Sequence, residues 1–149
     1  VVAAGFAARL WNETRSTFCI VRPLDGPAPC SFVVDRFTLV FWAITLFGTA
    51  VVALIGTVAV ADGRTPSGEG NFLLLCSATG ALTLAGSRDL VTLVVALEVV
   101  SLPAFAMTGL RSGDARAAEA AVKFFLVSVV STAVMLMGVS LVYGATGST

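Results

Sequence analysis

The stretch "FTLVFWAITLFGTAVVALIGTVAVA" (37–61) runs for 25 residues without a charged side chain. A helix of about 20 apolar residues is long enough to cross the hydrocarbon core of a bilayer, which is roughly 30 Å thick. Lipid offers the backbone no hydrogen-bond partners, so a stretch of this kind has to form a helix there. The sequence therefore predicts a transmembrane helix, and with it an integral membrane protein.

The composition of the whole chain agrees with this prediction. Of its 149 residues, 57% are hydrophobic and 12% are charged, and the mean hydropathy is +0.96. A soluble domain carries about twice that share of charged residues. The nine Lys and Arg are scattered, are balanced by nine Asp and Glu, and the sequence has no histidine. This pattern argues against a nucleic-acid partner.

Three further blocks predict helices of the same kind. Residues 90–110 hold a single charge, and residues 118–143 hold two charges near one end. Residues 71–87 are apolar but about 17 long, at the lower limit for a span. The predicted fold class is all-α, a polytopic bundle of about four transmembrane helices over residues 37–149. We expect residues 1–36 to hold the end of a truncated helix and an extracytoplasmic loop.

Short polar segments separate the predicted helices. The segments "DGRTPSGEG" (62–70) and "RSGDARA" (111–117) carry turn-forming residues and charges. The tight turn "GSRD" (86–89) offers Ser87 or Asp89 to cap the next helix by accepting its free N–H groups. We expect helices 90–110 and 118–143, which residues 111–117 join, to be antiparallel and packed together.

Two signals disagree on how the chain is oriented in the membrane. Placing residues 11–36 outside leaves five arginines outside and three inside, the reverse of the positive-inside rule. Cys19 and Cys30, however, flank the Pro-rich stretch "RPLDGPAP", and a disulfide between them would be natural in an extracytoplasmic loop. The alternative is that both remain thiols, and the residues alone leave the choice open.

Glu98 is the first candidate functional residue, because it lies roughly midway along its predicted span. An ionisable group at that depth costs at least about 2.5–3.5 kcal/mol, so it is a functional candidate by default. Removal from water favours the neutral form of a carboxylic acid, so Glu98 could take up and release a proton. The alternative is a protonated Glu98 that only bonds to a neighbouring helix.

Lys123 is the second candidate, about 8 Å inside its helix when counted at 1.5 Å per residue from Ala118. Its flexible stem could instead carry the ammonium group to the membrane surface. Glu98 would lie about 18–20 Å from the intervening turn, so we expect a relay rather than a direct salt bridge between the two. Glu119 precedes Lys123 by four residues, the favourable order for an ion pair within one helix.

Polar features near Glu98 could provide a proton path. Pro103 removes the N–H that would bond to the carbonyl of Val99, bends the helix, and so offers room for water. Three hydroxyls of the next helix are candidates to line the path: Ser128, Ser131 and Thr132. They could equally bond to the backbone of their own helix. The sequence has no CxxC and no phosphate-binding glycine loop, so we expect no metal, no cofactor and no catalytic bond chemistry in this chain.

The stretch "LEVVSLPAFAMTGL" (97–110), followed by "AEAAVKFFLVSVVSTAVMLMGVSLVYGATG" (118–147), resembles the antiporter-like subunits of respiratory complex I, subunit N in particular. Complex I is the proton-pumping NADH:quinone oxidoreductase. The segments "FVVDRFTLVF" (32–41) and "SRDLVTLVVALE" (87–98) fit the same family. Residues 11–31 look like an actinobacterial variant of it.

The resemblance implies a role in proton translocation. Glu98 matches the essential glutamate of the family, and Lys123 matches the lysine of the following helix. The topology of the family places residues 11–36 outside, which sides with the disulfide between Cys19 and Cys30. Other membrane-arm subunits and the lipid bilayer are the implied partners, NADH and quinone bind to other subunits, and the implied location is the bacterial cell membrane.

The resemblance also shows what this sequence lacks. Residues 37–149 match only the start of the first antiporter-like repeat, and the broken helix that follows in the family is absent. We therefore expect no pumping by this polypeptide alone. Either the rest belongs to the same native chain, or this is a truncated product. The alternatives are a subunit of a multisubunit sodium/proton antiporter and, from a different class, a structural helix module in which Glu98 only makes a packing hydrogen bond.

Overall fold

The computed structural model describes residues 5, 11, 13–19, 30–60, 66–111 and 113–147. Its elements, in chain order, are β1 (Arg15–Cys19), β2 (Cys30–Val34), α1 (Arg36–Val60), α2 (Ser67–Gly86), α3 (Leu90–Thr108) and α4 (Ala115–Thr146). The four predicted helices are confirmed, with ends about a turn or less from those predicted. The helix end predicted within residues 1–10 lies, apart from Gly5, outside the described residues.

Among the described residues, three helical segments are long and apolar enough to cross a membrane: Arg36–Thr57, Leu90–Thr108 and Ala115–Thr146. The helix α2 is 20 residues long, but its polar beginning "SGEGN" lowers its mean hydropathy. Its assignment as a fourth span stays a prediction.

The predicted all-α class holds for the membrane part, but the segment before α1 contains a β-hairpin that the sequence analysis treats as loop. The strands β1 and β2 are antiparallel, with Arg15 opposite Val34 and Cys19 opposite Cys30. Their sequences "RSTFC" and "CSFVV" contain β-branched and aromatic residues that favour strands. Each strand has only five residues, and an isolated two-stranded hairpin is only marginally stable in water. The strand pattern in the sequence is therefore short, and the segment is easily interpreted as a loop.

Close backbone approach holds α2 against α3, the most extensive helix contact. A Cβ atom on Gly80 would lie 2.7 Å from the backbone nitrogen of Val100 and 2.8 Å from the carbonyl carbon of Val99. Only glycine fits there. The hydroxyl of Ser77 donates to the carbonyl of Val100 at 3.1 Å, so a polar bond reinforces the contact. This pairing fixes the backbone of α3 next to Glu98.

Capping residues define the ends of the helices at the turns. Asp89 precedes α3 and accepts a hydrogen bond from the backbone N–H of Thr92 at 2.6 Å, which is one of the two caps the sequence suggests. Ser87 instead closes α2, since its N–H and its hydroxyl both approach the carbonyl of Leu84. Asp114 caps α4.

The hairpin, α1 and the α2–α3 turn meet around Thr38, which is fully buried. Its hydroxyl lies 3.2 Å from the carbonyl of Val33, 3.2 Å from that of Ala85 and 3.0 Å from the carboxylate of Asp35. Asp35 also caps α1 by accepting from the N–H of Thr38 at 2.9 Å. One hydroxyl therefore joins three elements at this end of the bundle.

Arg88, in the turn between α2 and α3, ties the turn to the hairpin. Its guanidinium pairs with Asp35 at 2.5 Å, and its backbone N–H donates to the carbonyl of Ser31 at 2.9 Å. The side chain of Asp89 accepts a further hydrogen bond from Ser31. We refer to Ser31, Asp35, Thr38, Arg88 and Asp89 as the hairpin cluster.

Candidate functional site

Glu98 lies half-buried on the face of α3 that meets α4. The hydroxyl of Thr132 on α4 donates to its carboxylate Oε1 at 2.6 Å. Val94 and Phe105, four residues before and seven residues after Glu98, share this face, and each is only 6% exposed. The carboxylate thus lies on a mostly apolar face of α3 and meets one hydroxyl of the neighbouring helix.

Small and aromatic residues set the distance between α3 and α4. A Cβ atom on Gly109 would lie 3.0 Å from the Cβ of Ala121, which brings the helices close beside the turn. Deeper in the bundle, the ring of Phe105 packs edge-on against Phe124 and Phe125, with centroids 4.7 and 6.0 Å apart. These apolar contacts lie between the turn and the Glu98–Thr132 bond.

The half-buried residues of α4 in its membrane part form one stripe, because they recur at intervals of three, four or seven. They are Ala117, Ala121, Ser128, Thr132, Met135 and Val139. No residue of α4 is classed as buried. The stripe faces α3, which is the helix that α4 contacts most within the described residues.

Lys123 lies away from this stripe. Its ammonium pairs with Glu119 at 2.5 Å, and the two side chains are 72% and 62% exposed. Lys123 precedes Thr132 by nine residues, which is about two and a half helical turns. The two side chains therefore lie on opposite sides of α4. The structure therefore does not bring Lys123 and Glu98 together.

The three candidate hydroxyls have different positions. Thr132 contacts Glu98, as described above. Ser131 donates to the carbonyl of Val127 at 2.9 Å, within its own helix. Ser128 shares the stripe with Thr132, and its hydroxyl makes no side-chain hydrogen bond within the described residues. One of the three hydroxyls thus reaches the carboxylate.

Pro103 is buried within α3, but it does not lie beside Glu98. Five residues separate the two, which is about 140° around the helix. Pro103 shares the side of Val99 and Val100, the residues that meet α2. On that side of α3, Ser77 of α2 donates to the carbonyl of Val100.

A disulfide joins Cys19 to Cys30 at the end of the hairpin. At the opposite end of β2, the N–H of Thr38, helped by Arg88, holds the pKa of Asp35 below its ordinary value. Burial raises the pKa of Asp89, but hydrogen bonds from Ser31 and Thr92 outweigh it and leave that pKa below its ordinary value too. Both carboxylates are ionised at neutral pH, so this end of the molecule is held by charged groups.

Sequence reasoning missed the hairpin cluster as a unit. Its signal is present in "SFVVDRFT" (31–38) and "SRD" (87–89), where a helix-capping acid and an arginine of opposite charge precede two spans. Nothing in those letters states that the segments meet across the bundle. Within the described parts of the chain, no group of three His, Cys, Asp or Glu residues could hold a metal ion.

Residues 87–149 match the family model described as "NADH:quinone oxidoreductase/Mrp antiporter, TM". The match begins at the α2–α3 turn and includes α3 and α4. It therefore covers Glu98, Thr132 and Lys123.

Individual relatives agree with the family match. The chain is 55% identical over 135 residues to NADH-quinone oxidoreductase subunit N 2 of Streptomyces griseus, which covers 90% of this chain and 24% of the relative. It is 44% identical over 147 residues to subunit N of Salinispora tropica, covering 98% of this chain and 27% of that protein. The chain is also 44% identical over 125 residues to subunit N 1 of Sorangium cellulosum, covering 84% of this chain and 24% of that protein.

The chain spans about a quarter of the length of these curated relatives. All three are bacterial and are named for quinone oxidoreductases, which does not favour the sodium/proton antiporter alternative. Together with the membrane-length apolar helices, they assign the chain to the bacterial cell membrane. Residues 87–149 thus match the NADH:quinone oxidoreductase/Mrp antiporter family, and the chain as a whole is similar to subunit N of the bacterial NADH-quinone oxidoreductases.

Proposed function

We propose that this chain acts within a membrane-arm subunit of NADH:quinone oxidoreductase and moves protons across the bacterial cell membrane. Glu98 and Lys123 carry the protons. The observation that carries the proposal is the carboxylate of Glu98, which accepts a hydrogen bond from Thr132 midway along a mostly apolar helix.

Few polar groups face the carboxyl group of Glu98 within the described residues. A carboxylate away from bulk water lacks the hydration that stabilises its charge, so the charge depends on the groups that face it. Thr132 is the facing group within the described residues. A positive charge that approaches from elsewhere in the subunit would favour ionisation, and its withdrawal would favour proton uptake.

Lys123 serves as a second proton group on the other side of α4. Its ion pair with Glu119 is open to whatever packs on that side. Because α4 lies between the two sites, a proton passes between them only through groups or water that other parts of the protein supply. We therefore assign Glu98 and Lys123 to separate steps of one path, with Ser128 and Ser131 as further hydroxyls along α4.

Electron transfer lies outside this chain in the proposal. NADH and quinone bind to other subunits of the complex, which are the partners of this chain together with the lipid bilayer. The chain itself holds no cofactor and meets no nucleic acid. Quinone reduction changes the electrostatic field along the membrane arm, and Glu98 and Lys123 respond by exchanging protons.

The test is to place Glu98→Gln in the full-length native gene and to follow NADH-driven acidification of inverted membrane vesicles. Quinone reduction is measured in the same vesicles, and assembly of the complex is measured on native gels. We expect pumping to fall roughly tenfold or more, since a positioned acid–base group contributes at least that much. The matched control is Glu69→Gln, the same change in the first turn of α2.

Unchanged pumping in an assembled Glu98→Gln complex would contradict the proposal. Glu98 would then be a packing residue, and the structural helix module would be the better description of this segment.

A further inference from the structure

We propose that Thr132 is the positioning residue of Glu98, and that its hydroxyl holds the carboxyl group against α4 in both protonation states. This inference rests on the proposed function of Glu98 as a proton carrier. It goes further by assigning the group that determines where the carboxyl lies when the proton arrives and leaves.

The geometry singles out Thr132 among the hydroxyls nearby. Its Oγ1 lies 2.6 Å from Oε1 of Glu98. Ser131, the next residue along the chain, is turned away and donates to its own helix backbone. Ser77 on α2 is engaged with the carbonyl of Val100. Within the described residues, Thr132 therefore supplies the one side-chain donor to Glu98.

A hydroxyl suits both forms of the acid, because it can donate one hydrogen bond and accept two. When Glu98 is ionised, Thr132 donates to the carboxylate. When Glu98 carries the proton, its O–H donates to Thr132, and the hydroxyl proton of Thr132 turns to the carbonyl of Ser128 one turn earlier. Threonine in a helix populates two rotamers for this reason. The carboxyl is bonded in both states, and no covalent bond other than O–H is made or broken.

The backbone around the bond is fixed independently of it. Gly80 and Ser77 hold α3 at Val99 and Val100, directly after Glu98. Gly109 and Phe105 set the distance from α3 to α4 by packing alone. Loss of the Thr132 hydroxyl therefore leaves the helices in place and releases only the carboxyl group, which is what distinguishes a positioning role from a structural one.

The experiment compares Thr132→Val with Thr132→Ser in the full-length subunit of the assembled complex. One readout is the number of protons pumped per quinol formed in inverted vesicles. The other is the infrared C=O band of a protonated carboxyl group, assigned to Glu98 by its loss in Glu98→Gln. The matched control is Thr79→Val, since the exposed hydroxyl of Thr79 bonds only to the carbonyl of Leu75 in its own helix.

We expect Thr132→Val to lower the pumping ratio about tenfold, as for the loss of a hydrogen bond to a charged group, and to shift the infrared band. Thr132→Ser should restore most of the ratio and the wild-type band. Thr79→Val should behave as the wild type does. Should Thr132→Val fail to assemble, Thr132→Cys replaces it, because a thiol is a weaker donor of similar size. It should shift the band in the same direction as Thr132→Val.

Three outcomes would overturn the inference. In the first, Thr132→Val, or Thr132→Cys in its place, pumps normally with an unshifted band while Glu98→Gln does not pump, so the proposed function stands without a positioning role. In the second, Thr132→Ser is as defective as Thr132→Val, so the shape of the side chain matters and its hydroxyl does not. In the third, Glu98→Gln pumps normally, so the proposed function itself fails.

Discussion

The beginning and the middle of α3 are held in opposite ways. At its beginning, the hairpin cluster joins the hairpin, α1 and the α2–α3 turn through an ion pair and several hydrogen bonds. In its middle, one side-chain hydrogen bond, from Thr132 to Glu98, links α3 to α4 in the described part of the chain. The first region is held by several polar bonds at once. The second depends on one polar bond, whose donor and acceptor exchange in our proposal when Glu98 takes up a proton.

The largest effect is expected from Phe105→Ala, which would test whether packing rather than polar bonding holds α3 to α4. The buried ring contacts Phe124 and Phe125, and removing a ring of this kind costs about 3–5 kcal/mol. Thermal unfolding of the full-length protein in detergent would measure the loss. Phe105→Leu is the graded control and should recover most of it. Equal stability of the wild type and Phe105→Ala would mean that the Glu98–Thr132 bond holds the helices.

Removal of the disulfide should have the next largest effect, at the other end of α3. Cys19 and Cys30 are 11 residues apart, and a disulfide that closes a loop of this size stabilises by roughly 3 kcal/mol in chain-entropy terms. The double change Cys19→Ser with Cys30→Ser should lower the unfolding temperature. It should also abolish the effect of a reducing agent, whereas Cys76→Ser should leave that effect intact. A hairpin region that tolerates the double change without loss would be held by the hairpin cluster alone.

Thr38→Val should lower the free energy of unfolding by about 1–3 kcal/mol, because buried acceptors lose their hydroxyl donor. The hydroxyl that is lost joins β2, α1 and the end of α2. Denaturant unfolding would measure the cost, with Thr49→Val as the control, since the hydroxyl of Thr49 bonds only to the carbonyl of Thr45 in the same helix. A cost no larger than that of the control would remove Thr38 from the centre of the hairpin cluster.

The smallest effect is an acid-dependent loss of stability at the hairpin cluster. The folded-state pKa values of Asp35 and Asp89 lie below their ordinary values. The stability they contribute is therefore fully present above about pH 4 and is lost as the pH falls through the folded-state values. Unfolding temperatures at pH 6 and pH 3 would show the loss. The double change Asp35→Asn with Asp89→Asn should reduce the difference between the two temperatures, and an undiminished difference would assign it to other groups.

The sequence predicted the helices, which depend on local composition. It missed the contacts between segments that are distant along the chain. The helices follow from long apolar runs, and Glu98 stands out because a charge in such a run is costly. The sequence offered three hydroxyls of α4 near Glu98: Ser128, Ser131 and Thr132. Helical spacing shows which of these residues share a face of α4, but it does not show which face contacts α3. Pro103 lies inside α3, and its part in a proton path stays a prediction.

The close approach of α2 and α3 at Gly80 has a consequence for genetics. A screen for loss of pumping should recover substitutions at Gly80, although this residue holds no proton, because a new Cβ would displace the backbone that carries Glu98. The atoms that the Cβ would meet first are backbone atoms of Val99 and Val100. No smaller side chain on α3 can remove them, so second-site suppressors should be rare at those two positions. Restored growth should come mainly from true reversion to glycine.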